Sequence, residues 1–308
     1  MQKFKRNIIL TLFFALLIYI VLFFYSDYKS LLNSLTNFSI SKLFFAFFIS
    51  ILILMLKFFR WHFLVKLEIK KIDISQSVLL FGLGQIMSIS PGKFGEVIKS
   101  YFLKKNNNID YEISIPLVIA ERFSEFLTLL LIQTILLIYF WENLIILFVL
   151  ILASSILIIA ISNSKIYGKI INVLSKFKFL NIDSTKMAIL HESQKILVNP
   201  KIYILSIFAW LMEFFCFYII LSNFITDIFV LKAISSYSLA IILGSVSMLP
   251  GGLGTTESSL TYLLIQNGIE INIAVAVTIF IRIFTLWIPI IIGFLSLYLY
   301  WKRNQKIL

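Results

Sequence analysis

The chain has 308 residues, 60% of them hydrophobic and 14% charged, with a mean hydropathy of +0.98. Soluble domains average roughly 45–50% apolar and about 25% charged residues, so a water-soluble globule and a disordered chain are excluded, and the single cysteine, Cys216, excludes a disulfide-braced scaffold. The formal charge of +12 therefore belongs to a polytopic helical membrane protein, and its distribution bears on topology.

About 20 helical residues cross a bilayer core. In chain order, runs of that size predict full spans at 8–25, 43–65, 113–140, 144–162, 202–222 and 273–300. Two further apolar segments, 75–103 and 233–267, are interrupted by proline and glycine. The first run follows Lys3, Lys5 and Arg6 as the core of a signal peptide does. However, it is long, and Phe23-Phe24-Tyr25 stands where small cleavage-site residues belong, so it is read as a retained span. The expected fold class is an all-α integral membrane protein with six full spans plus two broken re-entrant helical hairpins, one polytopic domain over 1–308.

Cytoplasmic flanks retain Lys and Arg. With the N-terminus inside and each interrupted segment leaving on the side it entered, the inner flanks hold Lys3, Lys5, Arg6, Lys66, Lys70, Lys71, Lys104, Lys105, Lys302, Arg303 and Lys306. The loop 163–201 adds Lys165, Lys169, Lys176, Lys178, Lys186, Lys195 and Lys201, whereas the outside receives only Lys29, Lys42 and Lys232. This predicts a cell-membrane protein with both termini in the cytoplasm. Within the loop, Ile166, Ile170, Val173, Leu174 and Phe177 share one helical face, and Lys165, Lys169, Asn172 and Lys176 the other. That pattern fits a basic amphipathic helix on the anionic cytoplasmic leaflet, and equally a plain positive-inside connector. A second helix is predicted from Ser184 to just before Asn199-Pro200. Asn37-Phe38-Ser39 is a glycosylation sequon on the expected outer side.

The two halves repeat. Pro91-Gly92-Lys93-Phe94-Gly95 returns as Pro250-Gly251-Gly252-Leu253-Gly254, with Glu96 directly after the first and Glu257 three residues after the second. Met55-Leu56-Lys57-Phe58-Phe59 echoes Leu211-Met212-Glu213-Phe214-Phe215 upstream. Arg122 follows Pro91 by 31 residues, and Arg282 follows Pro250 by 32. By the charge count the first motif enters from the cytoplasm and the second from outside, so repeats at 42–140 and 200–301 are expected to be inverted.

A Pro-Gly-x-x-Gly turn at membrane depth leaves backbone groups without helical partners, which is tolerated only beside protein or a wet cavity. The helix after each turn would start there with free N–H groups and a positive dipole end, a setting suited to phosphate. Two facing turns would form a pseudo-symmetric pocket; the competing reading is close helix packing. Charged residues within spans are costly and usually functional. Besides the two motif glutamates they are Lys57, Arg60, Glu121, Arg122, Glu125, Glu213 and Arg282. Arg122 and Glu125 are three apart and can pair. Arg282 requires a partner from elsewhere, which leaves Glu257, Glu213 or an anionic ligand open. Lys57 and Arg60 lie near the cytoplasmic end of their span and are expected to snorkel. His62 and His191 lack ligand spacing, so neither a metal nor another cofactor is expected. Hydrolase, nucleotide-binding and nucleic-acid signatures are absent from the sequence.

Pro91-Gly92-Lys93-Phe94-Gly95-Glu96, Glu121-Arg122-Phe123-Ser124-Glu125 and Pro250-Gly251-Gly252-Leu253-Gly254-Thr255-Thr256-Glu257 resemble the lysylphosphatidylglycerol synthase transmembrane region, or flippase-like, family, over about residues 8–300. Lys93 stands where the family often has arginine, and Glu125 where aspartate is usual. The resemblance implies a module that moves an anionic or aminoacylated phospholipid, or a polyprenyl-phosphate-linked lipid, between leaflets. Some relatives carry a C-terminal cytoplasmic aminoacyl-transferase domain; this chain stops at Leu308, so synthase activity is not expected of it.

The expected activity is therefore lipid translocation rather than catalysis. Candidate substrate-binding residues are Pro91, Gly92, Lys93, Gly95, Glu96, Glu121, Arg122, Glu125, Pro250, Gly251, Gly252, Gly254, Glu257 and Arg282. Two rivals remain: a membrane-embedded transferase acting on a lipid-linked sugar, and an accessory subunit that recruits a separate soluble transferase.

Overall fold

The computed structural model describes residues 36, 38–140, 144–175, 184–225 and 230–305. In chain order the helices are α1 (Ile40–Glu68), α2 (Ile74–Ile86), α3 (Ile98–Asn107), α4 (Tyr111–Phe140), α5 (Leu144–Ser162) and α6 (Ser164–Ser175). There follow α7 (Ser184–Leu197), α8 (Pro200–Leu221), α9 (Val230–Val246), α10 (Thr255–Gln266), α11 (Ile271–Arg282) and α12 (Ile288–Gln305). A π-helical turn, Ile283–Trp287, joins the last two into one rod. Among the described residues four helices are long and apolar enough to cross a membrane: α1, α5, α8 and the rod Ile271–Arg303. They expose Phe44, Phe45, Ile145, Phe148, Ile204, Phe208 and Leu295, surface that water would not tolerate but lipid accepts. The expected spans at 43–65, 144–162, 202–222 and 273–300 coincide with α1, α5, α8 and the rod; the one at 113–140 falls on α4, a helix outside those four. The span at 8–25 and Asn37 of the sequon lie outside the described residues.

Both interrupted segments are broken helices. α9 and α10 pack as a hairpin: near its tip a Cβ on Gly244 would fall 1.9 Å from the Thr256 hydroxyl, so only glycine lets the two helices approach this closely. At its open end the Asn267 amide donates to the Ser236 hydroxyl at 2.7 Å. α2 and α3 are joined in the same way, with the Gln76 and Asn107 side chains exchanging hydrogen bonds of 2.6 and 3.2 Å. The two clasps have the same sequence separation, 31 residues.

The chain forms two compact units that interleave in sequence. The first comprises the described residues up to Ile53, then Gln85–Gly95 and Leu211–Ile291; the second comprises Leu54–Gly84, Glu96–Trp210 and the chain from Ile292. In the first, α11 is almost wholly buried, and a small core of Ile89, Leu253, Leu286 and Ile290 lies against the turns. In the second, Trp61, Leu64, Leu80, Leu103, Leu117 and Ile202 form the core. α7 runs from Ser184 as expected and packs on α4. α6 begins where the Asn163 side chain accepts the N–H groups of Lys165 and Ile166, a side-chain cap. Lys165 and Lys169 are exposed and Ile166 is half-buried, as the amphipathic pattern requires; Lys176 and Phe177 lie outside the described residues.

Candidate functional site

In the first unit the two Pro-Gly turns share one backbone conformation. The Ser90 and Pro91 carbonyls accept the N–H groups of Lys93 and Phe94 at 2.9 and 3.1 Å; those of Leu249 and Pro250 accept from Gly252 and Leu253 at 2.9 and 3.0 Å. Each turn has two consecutive left-handed residues: Gly92 and Lys93 (φ 57° and 58°), and Gly251 and Gly252 (φ 62° and 66°). Lysine in that region costs about 1–2 kcal/mol through its Cβ, a cost absent at Gly252. Pro91 and Pro250 lie opposite each other in an isolated antiparallel bridge.

The helix start after the second turn is already satisfied from within. Glu257, three residues into α10, reaches back to accept the Gly254 N–H at 2.7 Å. Its other oxygen accepts Arg282 Nε at 2.6 Å, and Arg282 Nη2 donates to the Gly251 carbonyl at 2.7 Å. Glu257 is thus a partner of Arg282, and together they close a buried ring around the turn. At the first turn the Ser90 hydroxyl accepts the Gly95 N–H at 2.7 Å and donates to the Met87 carbonyl at 2.6 Å. The π-turn begins directly after Arg282, an irregularity often found at functional positions.

The second unit holds an ionic network assembled from four segments. α1 supplies Lys57 and Arg60, the turn Phe94–Val97 supplies Glu96, α3 supplies Lys99, and α4 supplies Glu121, Arg122 and Glu125. Arg122 reaches all three carboxylates: Glu121 and Glu125 at 2.8 Å each, and Glu96 at 3.2 Å. Lys99 pairs with Glu96 at 3.0 Å and with Glu121, and its ammonium sits 4.2 Å above the Trp61 ring. Arg60 donates to Glu125 at 2.8 Å and to the Ser206 hydroxyl at 2.9 Å, while Lys57 lies 3.8 Å from Glu125. Arg60 therefore does not snorkel. Its side chain is 1% exposed, because buried carboxylates from α4 offer it better partners than the membrane edge. Arg122, at 19%, is the most open member.

The candidate residues thus fall into two groups. Pro91, Gly92, Lys93, Gly95, Pro250, Gly251, Gly252, Gly254, Glu257 and Arg282 belong to the first unit; Glu96, Glu121, Arg122 and Glu125 belong to the second. Sequence reasoning missed Lys99, although Glu96 three residues before it was a signal for pairing. Gly84 was a weaker hint: the Lys99 stem occupies the space its Cβ would take, 2.9 Å away. Among the described residues no group of three or more His, Cys, Asp or Glu side chains is arranged to hold a metal ion.

The sequence profile of the lysylphosphatidylglycerol synthase TM region matches residues 11–293, which include both turns and the whole ionic network. The chain belongs to that family. It is similar to a UPF0104 membrane protein of Methanocaldococcus jannaschii, 27% identical over 233 residues that cover 71% of this chain and 95% of that protein. A second UPF0104 membrane protein of the same organism is 22% identical across 98% of this chain and 97% of its own. One from Methanothermobacter thermautotrophicus is 27% identical over 220 residues, 63% of this chain and 65% of that protein. As a lysylphosphatidylglycerol synthase TM region, the chain is a multi-pass membrane protein.

Proposed function

We propose that the protein moves an anionic lipid, a phospholipid or a polyprenyl phosphate, between the leaflets of the cell membrane without changing a covalent bond. The observation that carries this reading is the meeting of the two turns. Pro91 and Pro250, which correspond in the two halves, oppose each other with antiparallel chains, as equivalent residues do at a local two-fold axis. Matching broken helices in inverted repeats are the usual pointer to a carrier's substrate path, which supports the repeats at 42–140 and 200–301. A family described by a synthase of lysylphosphatidylglycerol supports a phospholipid as cargo.

In this reading Arg122 contacts the headgroup phosphate, and Glu96, Glu121 and Glu125 hold its guanidinium when no cargo is bound. Lys93, at the tip of the first turn, is a candidate contact for anionic cargo within its own unit. Arg282 and Glu257 keep the second turn in shape rather than bind cargo. The exposed Lys165 and Lys169 of α6 face the anionic inner leaflet, with both termini in the cytoplasm.

Purified protein in vesicles should carry fluorescent phosphatidylglycerol from the inner leaflet to a membrane-impermeant quencher. Arg122→Ala should abolish this movement and Arg122→Lys should retain part of it. Failure to move phosphatidylglycerol, its lysyl ester and polyprenyl phosphate would defeat the reading. Product formed from a labelled sugar or aminoacyl donor would replace it with a transferase.

A further inference from the structure

A guanidinium that turns from carboxylates to a phosphate leaves its former partners unequally served. When Arg122 turns away, Glu125 keeps Arg60 at 2.8 Å and Lys57 at 3.8 Å. Glu121 keeps Lys99, and Arg60 at 3.8 Å. Glu96 is worst placed. Among the described residues its remaining cation is Lys99, 3.0 Å from Oε2 and shared with Glu121. Oε1 of Glu96 and Oε1 of Glu121 are both buried without a hydrogen-bond partner, but Glu121 Oε1 keeps Arg60 at 3.8 Å, whereas the cation beside Glu96 Oε1 is Arg122 itself at 3.2 Å. The charged groups facing Glu96 are thus Lys99 from α3 and Glu121 and Arg122 from α4, with Arg60 of α1 one step beyond through Glu121.

We infer that binding of a phosphodiester anion at Arg122 is coupled to uptake of one proton by Glu96, so that the protein is proton-linked. The inference rests on the reading of Arg122 as the headgroup contact. A buried carboxylate oxygen that loses its cation is costly while ionised and cheap once protonated. The proton comes from water and bonds to Oε1 of Glu96, while Arg122 exchanges carboxylate oxygens for phosphate oxygens. Lys57, Arg60, Lys99 and Arg122 exceed Glu96, Glu121 and Glu125 by one positive charge, which the phosphodiester neutralises; the proton answers the local loss of a cation at Glu96 Oε1. Glu96 retains Lys99 through Oε2 and gains an O–H donor that can point toward the bound anion.

The test uses the purified full-length chain in detergent, with short-chain phosphatidylglycerol as probe. Its phosphodiester holds one charge throughout the neutral range, so any pH dependence belongs to the protein. Linkage requires its affinity to weaken about tenfold per unit rise in pH, with about one proton consumed from a weakly buffered solution per lipid bound. Glu96→Gln, an uncharged stand-in for the protonated side chain, should remove both the slope and the proton uptake. A flat pH dependence in the unaltered protein overturns the coupling, leaves the headgroup reading intact, and depends on no variant folding. A slope that persists in folded Glu96→Gln overturns the assignment to Glu96. Dimethyl phosphate has the same charge without acyl chains and separates the two sources of the chemistry. If it binds with the tenfold slope and phosphatidylglycerol does not, the coupling stands for a soluble anion and the lipid reading falls. If neither binds, the headgroup reading falls and the coupling with it.

Discussion

The two units use buried charge in opposite ways. In the first, Arg282 and Glu257 form a ring that takes in the Gly251 carbonyl and the Gly254 N–H, so both ion and backbone are fastened at one turn. In the second, Arg122 is shared among three carboxylates, and those carboxylates are shared in turn with Lys99, Arg60 and Lys57. A ring resists change because breaking one bond strands a buried charge. A shared network tolerates it, since each remaining member still has a neighbour of opposite sign. The ring therefore suits a fixed structural element and the network suits a group that must let go and return.

The largest expected effect separates these two uses directly. Arg282→Ala leaves Glu257 buried without its guanidinium and should cost about 3–5 kcal/mol, seen as a large drop in thermal unfolding temperature in detergent. Arg122→Ala should cost only about 1–3 kcal/mol by the same measurement while abolishing lipid movement. Equal losses in the two variants would erase the distinction between ring and network.

Packing at the hairpins sharpens the comparison next. Gly244→Ala drives a methyl group into the Thr256 hydroxyl and should cost about 1–3 kcal/mol. Gly84→Ala pushes instead on the Lys99 stem, so its chief effect should be on transport, through the network, rather than on unfolding. Removal of a clasp, Gln76→Ala or Ser236→Ala, should cost about 1 kcal/mol in each hairpin. The smallest expected effect is a gain: Lys93→Gly relieves a left-handed lysine and should raise stability by about 0.5–1 kcal/mol. If the same change slows lipid movement, Lys93 is retained for cargo at the expense of the turn.

Much of this was legible in the chain itself. Hydropathy marked the helices from α1 onward, since burial of apolar length in lipid is a property of local composition. Pro91, Gly92, Pro250 and Gly251 announced their turns because ring closure and a missing Cβ act on their own backbone. Asn199-Pro200 ended α7 for the same local reason. The clasps at Asn107 and Asn267 were less visible, since each needs a partner 31 residues away that no local pattern selects.

By itself, then, the sequence determined the membrane class, the helix positions and the two matched turns, all of which follow from local composition and backbone restriction. Only the tertiary structure decided the ionic partners. It brought Glu257 to Arg282, turned Arg60 inward, and brought Lys99 to Glu96 and Glu121. The physical reason lies in helices that are apolar on nearly every side. Such a helix carries no polar face to announce its rotation, so which charge meets which is settled when the helices pack against one another.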